Sequence, residues 1–457
     1  MRTMDSADAQ FRRMTETPIP KLIIQLGIPT TISMLVTNIY NMADTFFVGQ
    51  LGSTSASGAT GIVFGLMSII QAFGFMYGQG AGSLISRHLG QKDPASASKY
   101  ASVSFFASLV SGAAITLLGF LFLDTLLTFL GSTPTILTFA RDYAVYILLA
   151  APFMAASFVL NNILRYEGKA FFAMIGLTTG GILNMIGDPI FMFGCNMGIS
   201  GAGLSTALSQ IISFSILLFM FLSGRTQSKL SVRNLTEPFS RLGEIVKTGF
   251  PSMARQGFAS ISTMLLNNQA AAIGKDAAVA AMSIVSRINM FIFAVGLGIG
   301  QGFQPVAGYN YGAKKYSRVR KGYYFTVAAG EVLIGTLAVI GLIFAGNVVS
   351  IFRDDPAVIE IGTFAMRVHC LALFLQPVCV CSNMLFQSVG KSGRATFTSI
   401  LRSGLYFLPT IAILPYLIGI TGVQVAQPLA DALAFITIIP ITIDFMRKLP
   451  KDGAAET

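Results

Sequence analysis

The chain has 457 residues, 53% of them hydrophobic and only 11% charged, with a formal net charge of +11. A soluble domain carries about 25% charged residues, so a water-exposed globule of this size is excluded, and a mean hydropathy of +0.68 points to a chain folded in lipid. The 31 Lys and Arg form no basic patch that would suit nucleic acid. They sit in short connections between apolar runs, where they report membrane topology.

In chain order, residues 1–20 carry Arg2, Arg12 and Arg13 and lack the short apolar core of a cleaved signal peptide. They read as a cytoplasmic tail. Apolar runs of about 20 residues, enough to cross a bilayer, follow at 21–48, 57–86, 98–123, 135–163, 170–195 and 201–223. Six more lie at 245–273, 278–305, 319–346, 358–386, 396–416 and 422–446. The predicted organisation is an N-lobe over 21–224, a cytoplasmic linker over 225–243, a C-lobe over 244–447 and a cytoplasmic tail over 448–457. Twelve spans place both termini on one side. The tails and even-numbered connections hold 25 Lys and Arg, whereas the odd-numbered connections and their flanks hold only Arg141, Lys275, Arg353 and Arg367. Positive charge gathers inside, so both termini are expected in the cytoplasm. Cys195, Cys370, Cys379 and Cys381 lie in or beside apolar runs and read as buried thiols rather than disulfides or metal ligands.

The two halves match at an offset of 222 residues: GIP at 27–29 with GFP at 249–251, GQG at 78–80 with GQG at 300–302, and LGQK at 89–92 with YGAK at 311–314. Asn161 and GK at 168–169 recur as Asn383 and GK at 390–391, and GISG at 198–201 recurs as GITG at 419–422, now at an offset of 221. With six spans per half the repeats run parallel, about an axis along the membrane normal. An all-α membrane protein of two six-helix lobes around a central cleft follows.

Charge inside a span is costly unless it works. Topology places Asp44 about one turn from the outer end of span 1, Asp188 about two turns from the outer end of span 5, and Thr206 about a turn and a half into span 6. All three lie within roughly 6–11 Å of the outer boundary. Asn41 shares a helix face with Asp44, and Asn184 shares one with Asp188. Pro189 removes a backbone hydrogen bond within span 5. Carboxylates, amide oxygens and a hydroxyl are the hard ligands a small cation prefers. Elsewhere, Arg287 and Glu331 lie near mid-membrane on consecutive spans; an ion pair between them and a place on the substrate pathway are both open. Arg255 is close enough to the cytoplasmic end of span 7 to snorkel. For Asp431 on span 12, joining a polar network and attracting a cation are both open, and His369 reads as a polar lining residue. No metal site beyond Na⁺ is expected, and no nucleophile–base pair or cofactor motif suggests an enzyme.

The run from Asn41 through Asp44 to Leu51–Gly52, the GQG turn with its RHLGQKD loop at 87–93, and NMIGDPIF at 184–191 resemble the MATE (multidrug and toxic compound extrusion) family, over about residues 18–448. The similarity is greatest to its MepA-like bacterial branch. The resemblance implies a V-shaped pair of six-helix lobes and export of organic cations or drugs, as a monomer, from the bacterial cytoplasmic membrane against inward Na⁺ or H⁺. It also implies that Asp44, Asn184, Asp188 and Thr206 form the ion site, with Tyr143 a further member. In the NorM branch carboxylates on helices 7 and 10 serve the C-lobe. Here helix 7 offers Arg255 and helix 10 no matching acid, which favours coupling through the N-lobe. A lipid-linked oligosaccharide flippase of the same superfamily is the alternative; the scarcity of embedded Lys and Arg argues against it.

Overall fold

The computed structural model describes the backbone of residues 2–453 and the side chains of 7–453, and these residues are helical with no strand among them. A helix α1 (Arg2–Glu16) precedes the first span. In the first half follow α2 (Ile19–Gly49), α3 (Thr54–Gly90), α4 (Pro94–Leu121), α5 (Leu123–Phe129), α6 (Pro134–Tyr166), α7 (Ala170–Pro189) and α8 (Ile199–Leu222). In the second come α9 (Pro238–Gly312), α10 (Tyr316–Ile343), α11 (Ala345–Phe352), α12 (Pro356–Leu373), α13 (Gln376–Ser388), α14 (Ser392–Ile400), α15 (Phe407–Ile418) and α16 (Ile420–Lys448).

Among the described residues, eleven stretches of helix are long and apolar enough to cross a membrane. One of them, α9, contains two crossings, because Lys275 at φ 53° and ψ −151° turns the chain sharply in its middle. The count is therefore twelve, as the apolar runs predict, in a multi-pass membrane protein. Polar residues mark the ends. Ser53 accepts from Ala56 N at 3.2 Å, and Asp93 accepts from Ser96 N at 3.0 Å with Pro94 in the first turn. These side chains satisfy amides that have no partner within their own helix.

The internal repeat extends to details of geometry. Asn161 Nδ2 donates to the Ala173 carbonyl at 2.9 Å, and its counterpart Asn383 Nδ2 donates to the Ala395 carbonyl at 2.8 Å. Lys92 and Lys314 share a positive φ of 60° and 56°, and Gly168 and Gly390 one of 79° and 81°. The short helices α5 and α11, which the apolar runs conceal, also start 222 residues apart.

The chain gathers into two compact units, one of Met1–Phe11 with Ile32–Met253 and one of Arg12–Thr31 with Ala254–Thr457. The inner part of α2 thus belongs with the second half, and the inner part of α9 with the first. Two glycines explain the fit. A Cβ at Gly80 would stand 2.2 Å from the Ile245 carbonyl and 3.0 Å from Gly249 N. Its repeat mate Gly302 stands in the same relation to Gly27, where a Cβ would be 2.6 Å from the Gly27 backbone. Backbones this close admit only glycine. Each GQG motif therefore packs the inner half of an opening span.

Around these contacts the first unit buries Leu66, Tyr143, Ile147, Leu148 and Met154 in one core, and the second buries Met282, Val285, Met366, Leu373 and Phe407 in another. Two thiols, Cys370 and Cys381, are buried and Cys379 is partly so. Cys195 is exposed, against expectation, because it follows a five-residue π-helical turn, Ile190–Gly194, and lies outside any helix.

Candidate functional site

Five side chains from four helices meet in the first unit. Asp44 stands on α2, Tyr143 on α6, Asn184 and Asp188 on α7, and Thr206 on α8. Asp188 is fully buried, Asn184, Tyr143 and Thr206 are 2–3% exposed, and Asp44 is half-buried. The spacing of four brings Asn184 and Asp188 onto one face of α7, where Asn184 Nδ2 donates to Asp188 Oδ1 at 3.0 Å. Beyond Asp188 the regular helix stops at Pro189 and the π-helical turn takes over, a feature that often accompanies functional sites.

The hydrogen bonds admit one consistent assignment of donors and acceptors. Tyr143 has one hydroxyl proton and shares it between the two Asp44 oxygens, at 3.1 and 3.0 Å. Its oxygen must then accept from Thr206, at 3.4 Å. Thr206 Oγ1 in turn accepts from Asn184 Nδ2 at 3.1 Å. A chain of four hydrogen bonds thus joins Asp44 to Asp188, and every donor in it is used. Two acceptors are left over in the buried interior, Asn184 Oδ1 and Asp188 Oδ2. Buried acceptors without a donor are rare and costly. A proton on Asp188, or a small cation between these oxygens, satisfies both.

Close backbone approach holds the helices in place. A Cβ at Gly203 would lie 3.0 Å from the Tyr143 ring, and one at Gly187 would lie 2.5 Å from Ser205 Oγ. Ser205 is a member that the sequence reading missed. Its hydroxyl donates to the Asn184 carbonyl at 3.1 Å and receives Asn184 Nδ2 at 3.4 Å. Its place beside Thr206, at the same depth, was the available signal. Asn41 shares the face of Asp44, yet only its backbone is engaged, accepting from Thr45 Oγ1 at 3.0 Å.

The second unit treats its charges differently. Arg287 is exposed, Glu331 is half-buried, and no ion pair joins them, contrary to one of the two expectations. The helix α9 meets Ile334 of α10 through Gly296, and Arg287, nine positions earlier, points about 180° away from that face. Arg255 donates to Asn383 Oδ1 at 3.1 Å. Asp431 accepts from Gln376 Nε2 at 2.8 Å, Gln427 Nε2 at 2.8 Å and Arg402 Nε at 2.6 Å. Arg402, counted with the cytoplasmic connections on sequence, instead stands inside span 11 on a π-helical turn, Leu401–Tyr406.

The family profile described as MatE matches residues 29–190 and 251–411, one copy per half. The chain is 26% identical over 448 residues to multidrug export protein MepA of Staphylococcus haemolyticus, covering 98% of both chains. It is 26% identical to the MepA of Staphylococcus aureus over 449 residues, covering 97% of this chain and 98% of the other. Among solved structures it superimposes on an outward-facing multidrug resistance MATE family transporter of the MOP superfamily, with a TM-score of 0.90, 26% identity and 96% of this chain covered against 98% of that one. A MOP superfamily transporter from Pyrococcus furiosus gives the same TM-score and coverages at 25% identity. Profile, length and fold agree from end to end, and the chain belongs to the MatE family.

Proposed function

We propose that this protein exports organic cations and other amphipathic drugs from the bacterial cytoplasm in exchange for Na⁺ or H⁺, by alternating access. The observation that carries this reading is the Asp44–Tyr143–Thr206–Asn184–Asp188 chain with its two unused acceptors. End-to-end similarity to multidrug export proteins supports the class of cargo.

The residues divide the work. Asp44, half-buried, meets the ion first; Asp188, fully buried, holds it. Tyr143 and Thr206, each donor to one neighbour and acceptor from the other, and Asn184, donor to both Thr206 and Asp188, relay the change between them. Loading the pair removes a like-charge repulsion, and the helices that carry it, α2 and α7, repack toward the state that releases drug outward. One charge moving inward supplies about 2.3 kcal/mol per 100 mV, with about 1.36 kcal/mol more per pH unit when the ion is H⁺. Both termini lie in the cytoplasm, as the basic connections require.

The test is ethidium efflux from proteoliposomes with Na⁺ and pH gradients imposed separately, for the wild type, Asp44→Asn and Asp188→Asn. Gradient-driven efflux by the wild type and its loss in both variants, each inserted normally, is expected. Full efflux by either variant removes that residue from the mechanism, and transport indifferent to both gradients removes ion exchange.

A further inference from the structure

The first unit carries an apolar groove that the exchange site does not use. The helix α4 ends at Leu121, and Phe122, at φ −122° and ψ 32°, redirects the chain into α5. The bend leaves an open wedge of about 390 Å³ between α3, α4 and α5. Sites for small ligands span roughly 300–1,000 Å³. Leu66 and Gly119 are the buried part of its lining, Ile69 and Leu118 flank them, and α5 closes the third side.

The sequence of α5 assigns each of its faces. At 3.6 residues per turn, Phe122, Thr125 and Phe129 share one face, Leu123 and Leu127 a second, and Asp124 and Thr128 a third. Leu127 is fully buried, and Leu123 packs with it in the core that also holds Tyr143. Asp124 Oδ1 accepts from Arg141 Nε at 2.5 Å. The first face stays open, with Phe122 58% and Phe129 85% exposed.

What covers that face follows from where it lies. Both α3 and α4 are spans, and Leu117, Leu118 and Leu121 at the same end of α4 are 62%, 55% and 65% exposed. Such a surface meets hydrocarbon, not water. Thr125 alone among the lining side chains carries a polar atom. A cationic cargo molecule would find no counter-charge there, and an unpaired charge in hydrocarbon is costly. An acyl chain needs none. Lipid tails are as apolar as leucine, so the preference comes from close contact: a flexible chain in the wedge supplies the neighbours its walls lack. Next to Thr125, the exposed Asp124–Arg141 pair offers both signs of charge, the complement of a zwitterionic headgroup.

We propose that this groove binds a phospholipid, its acyl chain laid along the wedge between α3, α4 and α5 and its headgroup beside the Asp124–Arg141 pair. On the orientation given above, the lipid belongs to the outer leaflet. It braces α5 against the core that holds Tyr143.

The chain contains no tryptophan, so one introduced indole reports from a single place. Phe129→Trp puts it on the groove. Leu117→Trp, on the exposed side of α4 outside the groove, reports ordinary lipid contact. The full chain, delipidated in detergent, is titrated with phosphatidylcholine brominated along its acyl chains. Quenching in Phe129→Trp should saturate with one lipid per chain, at a concentration about tenfold or more below that needed in Leu117→Trp. Adding Thr125→Phe to Phe129→Trp fills the wedge and should abolish the saturable quenching. Phe122→Trp repeats the titration if Phe129→Trp does not fold, and native mass spectrometry of the wild type should show a single retained phospholipid. Quenching that rises alike at both positions, saturation that survives Thr125→Phe, or a wild-type chain that retains no phospholipid overturns the proposal. Displacement of the lipid by ethidium also overturns it, by making the groove a cargo site.

Discussion

The Tyr143 hydroxyl spans both oxygens of Asp44, at 3.1 and 3.0 Å, although 99 residues separate the two positions. That single proton ties a half-buried carboxylate on α2 to a fully buried amide and carboxylate on α7. Tyr143→Phe keeps the ring and its packing against Gly203 and removes only the link. A hydrogen bond to a charged group is worth about 1.5–3 kcal/mol, so ion affinity should change about tenfold to a hundredfold. Drug binding in the absence of a gradient should be unchanged. Efflux against Na⁺ or pH in vesicles of the variant checks both.

Gly187 leaves room for Ser205, and Ser205 in turn holds the Asn184 carbonyl at 3.1 Å. Gly187→Ala puts a methyl 2.5 Å from Ser205 Oγ and 3.3 Å from its Cβ. Overpacking of this kind costs about 1–3 kcal/mol, and here it also displaces the Asn184 side of the site. The double variant Gly187→Ala with Ser205→Ala removes the closer collision and should recover most of the stability. Thermal unfolding in detergent gives the stability half of the cycle, and ethidium efflux gives the functional half.

Glu167, fully buried at the C-terminal end of α6, holds the connection between the halves. Its carboxylate accepts from Gln227 N at 2.9 Å, Ser228 N at 2.8 Å and the Ser228 hydroxyl. Farther along, Lys229 N and Ser231 N donate to Ser98 and Ser102 of α4 at 3.0 and 3.1 Å. The stretch 226–231 is therefore a fixed strap, and Glu167→Ala should release it. The amides of 227–231 should then exchange with deuterium at least tenfold faster, by mass spectrometry.

The same carboxylate gives the strap a pH dependence of definite sign. Burial pushes the Glu167 carboxyl above its ordinary value of 4.5. The docked state therefore binds a proton more readily than a released one, and docking strengthens as pH falls from the raised value toward 4.5. At neutral pH the penalty for burying the charge is fully present. Amide protection of 227–231 should rise on acidification, and in Glu167→Gln it should not depend on pH.

Asn161 and Asn383 occupy equivalent places, but only Asn383 also accepts from Arg255, at 3.1 Å. Alanine at either position removes a hydrogen bond to a buried helix carbonyl, worth about 0.5–1.5 kcal/mol. Asn383→Ala should cost more than Asn161→Ala, because it also strips a partner from a guanidinium. Melting temperatures of the two variants in one detergent test the order.

Much of this molecule was legible in the amino-acid order. Asp44, Asn184, Asp188 and Thr206 could be placed at one depth because helix rise and span length are local quantities. Ser205 was missed because a serine in a small-residue stretch reads as packing until its neighbour across the gap is known. Arg402 was counted as cytoplasmic because a charge near the start of an apolar run resembles a flanking residue. Only Asp431, Gln376 and the π-helical turn show it to be interior.

The sequence by itself determined twelve crossings, their parallel repeat and the register of the polar set, because hydrophobic length, helical period and internal similarity are written along one dimension. The tertiary structure decided which charges have partners, where the first span divides between the two units, and which acceptors stay unused. Those outcomes depend on how closely helices far apart in the chain approach, at points such as Gly80 against Gly249 and Tyr143 against Asp44. No run of neighbouring residues encodes that distance.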